Sequence, residues 1–261
     1  MNIESLKKNR RISLFILGPI VVAFVVYALA LTWRMPVHEI KRLNRVYADT
    51  SISSQELSLH LGDIFDLRKE ESFLRSRLKM AGGDSIGLTL DMNDSLLMLE
   101  LEGVVIHQAK VHDIKRSPVF EHMDRSAFLK LFGSLFRVDS CRATIIKEPI
   151  VVQKAPADSI EAARQGSIRD TIPPPPASYQ LYLDKDILLI VIQSDAIDKK
   201  NEIYRKFVKT SLHRSVGHIL HDLVRFQVPD YRPWIMVFVK QDDAITTYRA
   251  IPYHSMVTIR I

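Results

Sequence analysis

The chain has 261 residues, 36 of them Lys or Arg and 30 Asp or Glu, giving a net charge of +6, with 47% apolar and 25% charged residues. That is the composition of a folded protein, and it excludes a wholly disordered chain and a multi-span transporter. A single cysteine excludes an internal disulfide framework and any multi-cysteine zinc site.

The charge excess is local. Lys7, Lys8, Arg10, Arg11, Arg34, Lys41, Arg42 and Arg45, set against Glu4 and Glu39, give the first 47 residues the whole surplus, and the rest of the chain is balanced. These basic residues flank one apolar run at 12–33, ISLFILGPIVVAFVVYALALTW, which holds no charge over 22 residues. As a helix rising about 1.5 Å per residue it reaches about 33 Å, enough for a hydrocarbon core of about 30 Å. Basic residues beside a span suit orientation and contact with anionic lipid, so the charge points to a membrane and not to nucleic acid. Ala28-Leu29-Ala30 also fits an A-x-A cleavage site. The apolar run before it is long for a signal peptide, however, and continues unbroken to Trp33. The expected arrangement is a cytoplasmic basic tail at 1–11 and an uncleaved transmembrane helix at 12–33. The span lies in the inner (cytoplasmic) membrane, with the bulk of the chain extracytoplasmic, in the cell envelope.

Residues 34–83 read as a helical stalk, with helices at 37–47 and 53–80. In the second helix Leu57, Leu61, Ile64, Leu67, Leu74, Leu78 and Ala81 recur at spacings of mostly three and four, with Glu71 filling the gap. This stripe is either the face by which the helix lies on its own domain or the seam of a short coiled coil, which would make a homodimer through residues 53–81. Gly82-Gly83-Asp84 stops the helix.

Residues 84–152 then read as an α+β region. Leu88 and Leu90, then Leu97, Leu99 and Leu101, alternate with polar residues about a turn at Met92-Asn93-Asp94-Ser95, and Gly103 opens a third strand at 104–111. A helix is expected at 124–136 and a strand at 143–152. Residues 153–177 contain four consecutive prolines and read as a linker or long loop. The C-terminal α+β region, 178–261, opens with a hairpin at 179–192 whose second strand is apolar without alternation, as in a strand covered on both faces. A long helix at 198–226 and strands at 234–239, 244–248 and 257–261 follow. The fold class is α+β, a mainly antiparallel sheet with two or three packed helices.

No Walker loop, GxSxG elbow, HExxH helix or Rossmann glycine pattern is present, and no cofactor or metal is expected. On the helix at 198–226, Arg214, His218, His221 and Arg225 are spaced by four, three and four, which stacks them on one face suited to an anionic partner. An opening hairpin, a glycine before its third strand and His122 followed later by Cys141-Arg142 are similar to the L,D-transpeptidases of the cell wall, over residues 86–142. That resemblance implies a Cys141 nucleophile served by His122. The chain departs from the pattern at Met123, where the family has Gly, and at Asp139-Ser140, where Ser-His-Gly precedes the cysteine. The expected function is a non-catalytic, membrane-anchored scaffold whose α+β region binds another envelope protein or a cell-wall polymer. A divergent cell-wall enzyme built on Cys141 and His122 is the alternative.

Overall fold

The computed structural model describes residues 34–48, 61–147, 176–194 and 231–261, with isolated positions between 19 and 31 and at 221, 225 and 227. The protein is α+β, with a mixed, mostly antiparallel sheet and few helices. Helix α1 covers residues 34–46. There follow α2 (Leu61–Ala81), β1 (Gly87–Asp91), β2 (Leu96–Leu101), β3 (Val104–Lys110), β4 (Asp113–Arg116), α3 (Arg125–Phe132) and β5 (Phe136–Ala143). After the Pro-rich stretch come β6 (Ser178–Leu183), β7 (Leu188–Gln193), β8 (Trp234–Val239), α4 (Gln241–Ala250) and β9 (Met256–Arg260).

The strands form one sheet in the order β3-β2-β1-β9-β5-β6-β7-β8-β4. Strands from both sides of the Pro-rich stretch therefore share it. The two edge strands, β3 and β4, are separated in the chain only by Val111 and His112. Two residues cannot span a flat sheet of this width, so the sheet must fold back on itself. The link marks the corner: Val111 N–H donates to Ser95 O at 2.8 Å on one side and His112 N–H to Phe238 O at 2.7 Å on the other. The opposite corner is β5. Its first residues, Phe136 and Arg137, pair with β9, and from Val138 onward it pairs with β6, through an irregularity between Val138 and Ser140. A bulge is the usual means by which a strand passes from one layer to the next.

The folded-back sheet encloses the main core. Leu88, Leu90, Leu97 and Leu99 on one side meet Leu181, Leu189, Val191, Ile235 and Val237 on the other. Helix α3 adds Leu131 together with Phe128 and Phe132, whose rings join those of Phe120 and Phe136 in a chain of contacts with centroids 4.7 to 5.9 Å apart. Helix α4 adds Ala244 and Tyr248. A second cluster of Leu188, Ile190, Ile192, Met236 and Phe238 buries the other face of β7 and β8, which run parallel. This is the arrangement the non-alternating apolar run of β7 requires.

Three expectations change. Residues 244–248 are helical and not a strand. Gln241-Asp242-Asp243 places two carboxylates in the first turn of α4, where they favour a helix start, and Ala244, Thr247 and Tyr248 are buried at helical spacing. Of the strand expected at 143–152, Ala143 ends β5, residues 144–147 are not strand, and 148–152 lie outside the described residues. The helix expected at 124–136 stops at Phe132, because Gly133 caps it and Phe136 and Val138 then alternate into the core. The two hairpins sit in different surroundings: β1 lies beside parallel β9, whereas β6 lies beside antiparallel β5.

The two helices of the expected stalk lie against the domain. Leu43 of α1 is fully buried, and Asn44 accepts a hydrogen bond from Asp124 N–H at 3.0 Å. Arg42 grips Glu39 at 2.6 Å and reaches Asp186 at 3.4 Å. Helix α2 buries Phe73, Ser76 and Met80 on the outer side of β1, β2 and β9. The described positions within 12–33 are helical, and the rest of that segment lies outside the described residues. Among the described residues no helix is long and apolar enough to cross a membrane. The expected helix at 198–226 also lies almost wholly outside them.

Lys185, in the β6–β7 turn, closes the C-terminal end of α3. Its ammonium donates to Leu131 O and Ser134 O at 3.4 and 3.1 Å and lies 4.0 Å from the Phe136 ring centre. Burial pulls its pKa down to about 8, against the upward pull of Asp184. Between that value and the ordinary 10.5, the unfolded chain holds a proton that the folded chain has released. This group's contribution to stability therefore rises with pH across the window. Lys185→Met should remove that part of the pH dependence, read as the wild-type minus variant difference in urea unfolding at about pH 7.5 and about pH 9.5.

Candidate functional site

The residues singled out in the sequence fall into three places. Cys141 lies on β5 just past the bulge, half-buried, opposite Leu181 on β6. It lines a shallow recess with Lys147, Tyr248, Ile251, Tyr253 and His254. His122 is not among the residues lining this recess. It ends the 3-10 turn at Pro118–Glu121, exposed, with its Nδ1 2.9 Å from Pro118 O. The histidine among the residues lining the recess is His254, held in a turn at φ 59°.

The ammonium of the recess is already engaged. Lys147 Nζ donates to the carbonyl of Ile251 and lies over the rings of Tyr253 and Tyr248, 4.8 and 5.3 Å from their centres. Burial lowers the Lys147 pKa, and the Cys141 thiol opposes that shift. Tyr248 lines the recess beside Cys141, and its pKa is pushed up to about 12, first by burial and then by Cys141 and Tyr253. A thiol beside an ammonium, in a recess that a histidine also lines, is a starting point for nucleophilic chemistry. Here the ammonium is engaged by a backbone carbonyl. Lys147, Tyr248, Tyr253 and His254 could not be read as a group beforehand, because they meet only when α4 and the turn before β9 fold over β5.

Of the helix stripe, Arg214 and His218 lie outside the described residues. His221 and Arg225 are exposed, and Arg225 N–H donates to His221 O at 3.2 Å, the i to i+4 contact of a helical turn. Among the described residues no group of three or more His, Cys, Asp or Glu side chains could hold a metal ion.

The third place is a surface. Helix α2 is apolar on two faces. One holds it to the sheet through Phe73, between the guanidinium carbons of Arg77 and Arg260, which lie 5.6 and 5.5 Å from its ring centre. Arg77 pairs with buried Glu100 at 2.9 Å, and Arg260 with Asp91 and Glu70 at 2.9 and 2.5 Å. Ser76 is hydrogen-bonded to Thr258. The other face carries the stripe seen in the sequence. Leu67, Leu74 and Leu78 are 70%, 50% and 75% exposed, so the stripe is not what docks the helix. At its C-terminal end α2 abuts the β2–β3 turn, where a Cβ on Gly103 would lie 3.2 Å from Ala81 Cβ. The exposed apolar surface continues there into Val104, Val105 and Ile106 of edge strand β3. The other edge, β4, is short and charged, the usual protection of an open edge, and β3 lacks it. A contiguous apolar surface of this kind marks an interaction site.

Compared with protein-family models, curated proteins and solved structures, the chain matches none of them.

Proposed function

We propose that this chain is a single-pass, membrane-anchored envelope protein that acts as a non-catalytic scaffold, with its extracytoplasmic α+β domain as the interaction module. The observation that carries this reading is the outward face of α2: a helix already fixed to its domain by one apolar face keeps a second one, Leu67-Leu74-Leu78, in solvent. The anchor is supported by the uncharged run at 12–33 and by the helical state of its described positions, where Val22 and Val26 are exposed. Leu31 and Leu43 are buried, so the domain packs close to the end of that run and would sit near the bilayer surface. The partner is another envelope component, either a protein (a second copy of this chain included) or a cell-wall polymer.

Two measurements test this. The protein should stay with membranes through an alkaline carbonate wash, and Cys141 should react with a membrane-impermeant maleimide in intact cells, with a denatured control to separate burial from sidedness. A soluble mature chain beginning at Leu31, or labelling only after lysis, would remove the anchor or its orientation. Leu78→Glu, at an exposed position, should change stability by no more than about 0.5 kcal/mol yet release any co-purifying envelope component. Retention of that component by the variant would count against the surface.

The second reading, a cysteine-dependent envelope hydrolase or transferase, is favoured by one observation, the shared recess of Cys141 and His254. Thiol-dependent turnover of muropeptides by the wild type, lost in Cys141→Ser, would establish it over the scaffold. Equal inactivity of both proteins would dismiss it.

A further inference from the structure

We infer that α2 is the seam of a parallel, in-register homodimer. This deepens the scaffold reading by naming the occupant of the outward face of α2 as a second copy of the same chain.

Ile64, Leu67, Glu71, Leu74, Leu78 and Ala81 follow one another at spacings of three, four, three, four and three, the a and d positions of a heptad. The residues that hold α2 to its own domain, Ser72, Phe73, Ser76 and Met80, fall at b, c and f, on the opposite side. The seam is therefore left free by the fold from Ile64 to Leu78, where its residues are solvent-exposed, and only Ala81 at its end meets the β2–β3 turn. A pairing helix of this length is marginal alone, because ordering it costs more than a few heptads return. Here the ordering is supplied by the domain, and confinement to one membrane would raise the effective concentration of the two copies.

The flanking charges choose the direction. Glu70 stands at g and Arg75 at e. In a parallel, in-register pair each g residue lies beside the e residue of the following heptad on the partner, so two Glu70–Arg75 pairs form across the seam. Glu70 is already oriented by Arg260, at 2.5 Å. An antiparallel pair centred on the same stripe would set Arg68 against Arg75, both exposed and both positive. A parallel pair also has its two-fold axis along α2, so both N-terminal anchors leave from the same end of the dimer, compatible with two chains tethered to one bilayer.

Glu71, the one charge at an a position, fixes the register. Its carboxylate accepts from Arg75 Nη2 of the same helix at 2.6 Å. In register, two such Glu71–Arg75 pairs meet and their charges cancel. A slip of one heptad would set Glu71 against the partner's Leu78 or Ile64, leaving a carboxylate against apolar groups. A polar group at an a position commonly trades some stability for register.

The test uses the full chain in its membrane, in a Cys141→Ser background, with Leu67→Cys, Leu74→Cys and Leu78→Cys made singly and Lys79→Cys, off the seam and exposed, as control. Mild oxidation should give homotypic disulfide dimers at the three seam positions and not at the control. Dimers that form only when Leu67→Cys and Leu78→Cys chains are mixed would show an antiparallel pair and overturn the proposal. Equal cross-linking at Lys79→Cys, or none anywhere, would also overturn it. Glu71→Leu should raise the dimer fraction, tightening association by about tenfold, and Arg75→Glu should abolish the dimers, with thermal melting unchanged for both. A fall in dimer with Glu71→Leu counts against the seam. If no homotypic disulfide forms while Leu78→Glu still releases an envelope component, the homodimer fails and the scaffold reading stands; if Leu78→Glu also releases nothing, both fail.

Discussion

Phe73 is held between two guanidinium groups, and the placement of α2 depends on that contact. Arg77 comes from the helix itself and Arg260 from β9, the strand that sits near the middle of the sheet order. Each guanidinium is tied to carboxylates on the outer side of the sheet, Glu100 in one case and Asp91 in the other, both nearly inaccessible to water. Removing one partner of a buried pair leaves the other charge unsatisfied, so the three elements are held as a unit. The hydroxyl contact of Ser76 with Thr258 closes the same interface with almost no room for a larger side chain. The orientation of every residue on α2 follows from this clamp, including which of its apolar faces meets the solvent.

The sheet supplies the matching constraint on the other side. Because β3 and β4 are two residues apart in sequence and at opposite ends of the sheet, the chain itself closes the fold where hydrogen bonds do not. β5 does the same at the opposite corner by changing partner at its bulge. One core is thereby shared by residues from 88 to 259, and neither α+β segment flanking the Pro-rich stretch has a complete core of its own. The recess at Cys141 lies beside this second corner, where the bulge breaks the strand's regular pairing and α4 covers the gap.

Much of this architecture was legible in the residues. The β1–β2 and β6–β7 hairpins, β3 and β8 follow directly from alternation, turn residues and uninterrupted apolar runs, because each is a local pattern with a period of two or none. What was missed depends on distant neighbours. Residues 244–248 alternate well enough to pass for a strand, and only the acidic start at Asp242-Asp243 and the buried spacing of Ala244, Thr247 and Tyr248 give the helix away. The leucine stripe of α2 was legible as a stripe, but its partner was not. Phe73, Ser76 and Met80 form a weaker, mixed pattern on the opposite face, and its strength comes from arginines that reach it across the fold. The pairing of Cys141 with His122 was drawn from order along the chain, whereas the groups around the thiol come from Lys147 and from α4 and the turn that follows it.

The Pro-rich stretch has one further consequence. It leaves from the end of β5 and returns at the start of β6, and these are adjacent strands in which Ala143 lies opposite Tyr179. Its two roots are stitched together, Thr144 N–H to Ser178 O at 2.9 Å and Thr144 Oγ1 to Pro176 O at 2.7 Å. The excursion is thus an insertion in a hairpin, closed at its base by bonds that do not involve its tip. Cutting the backbone anywhere within it would leave two fragments whose strands still interleave across β5 with β6 and β9. They should stay associated as one body, so this stretch is a natural place to split the protein or to graft a reporter without disturbing either corner of the sheet.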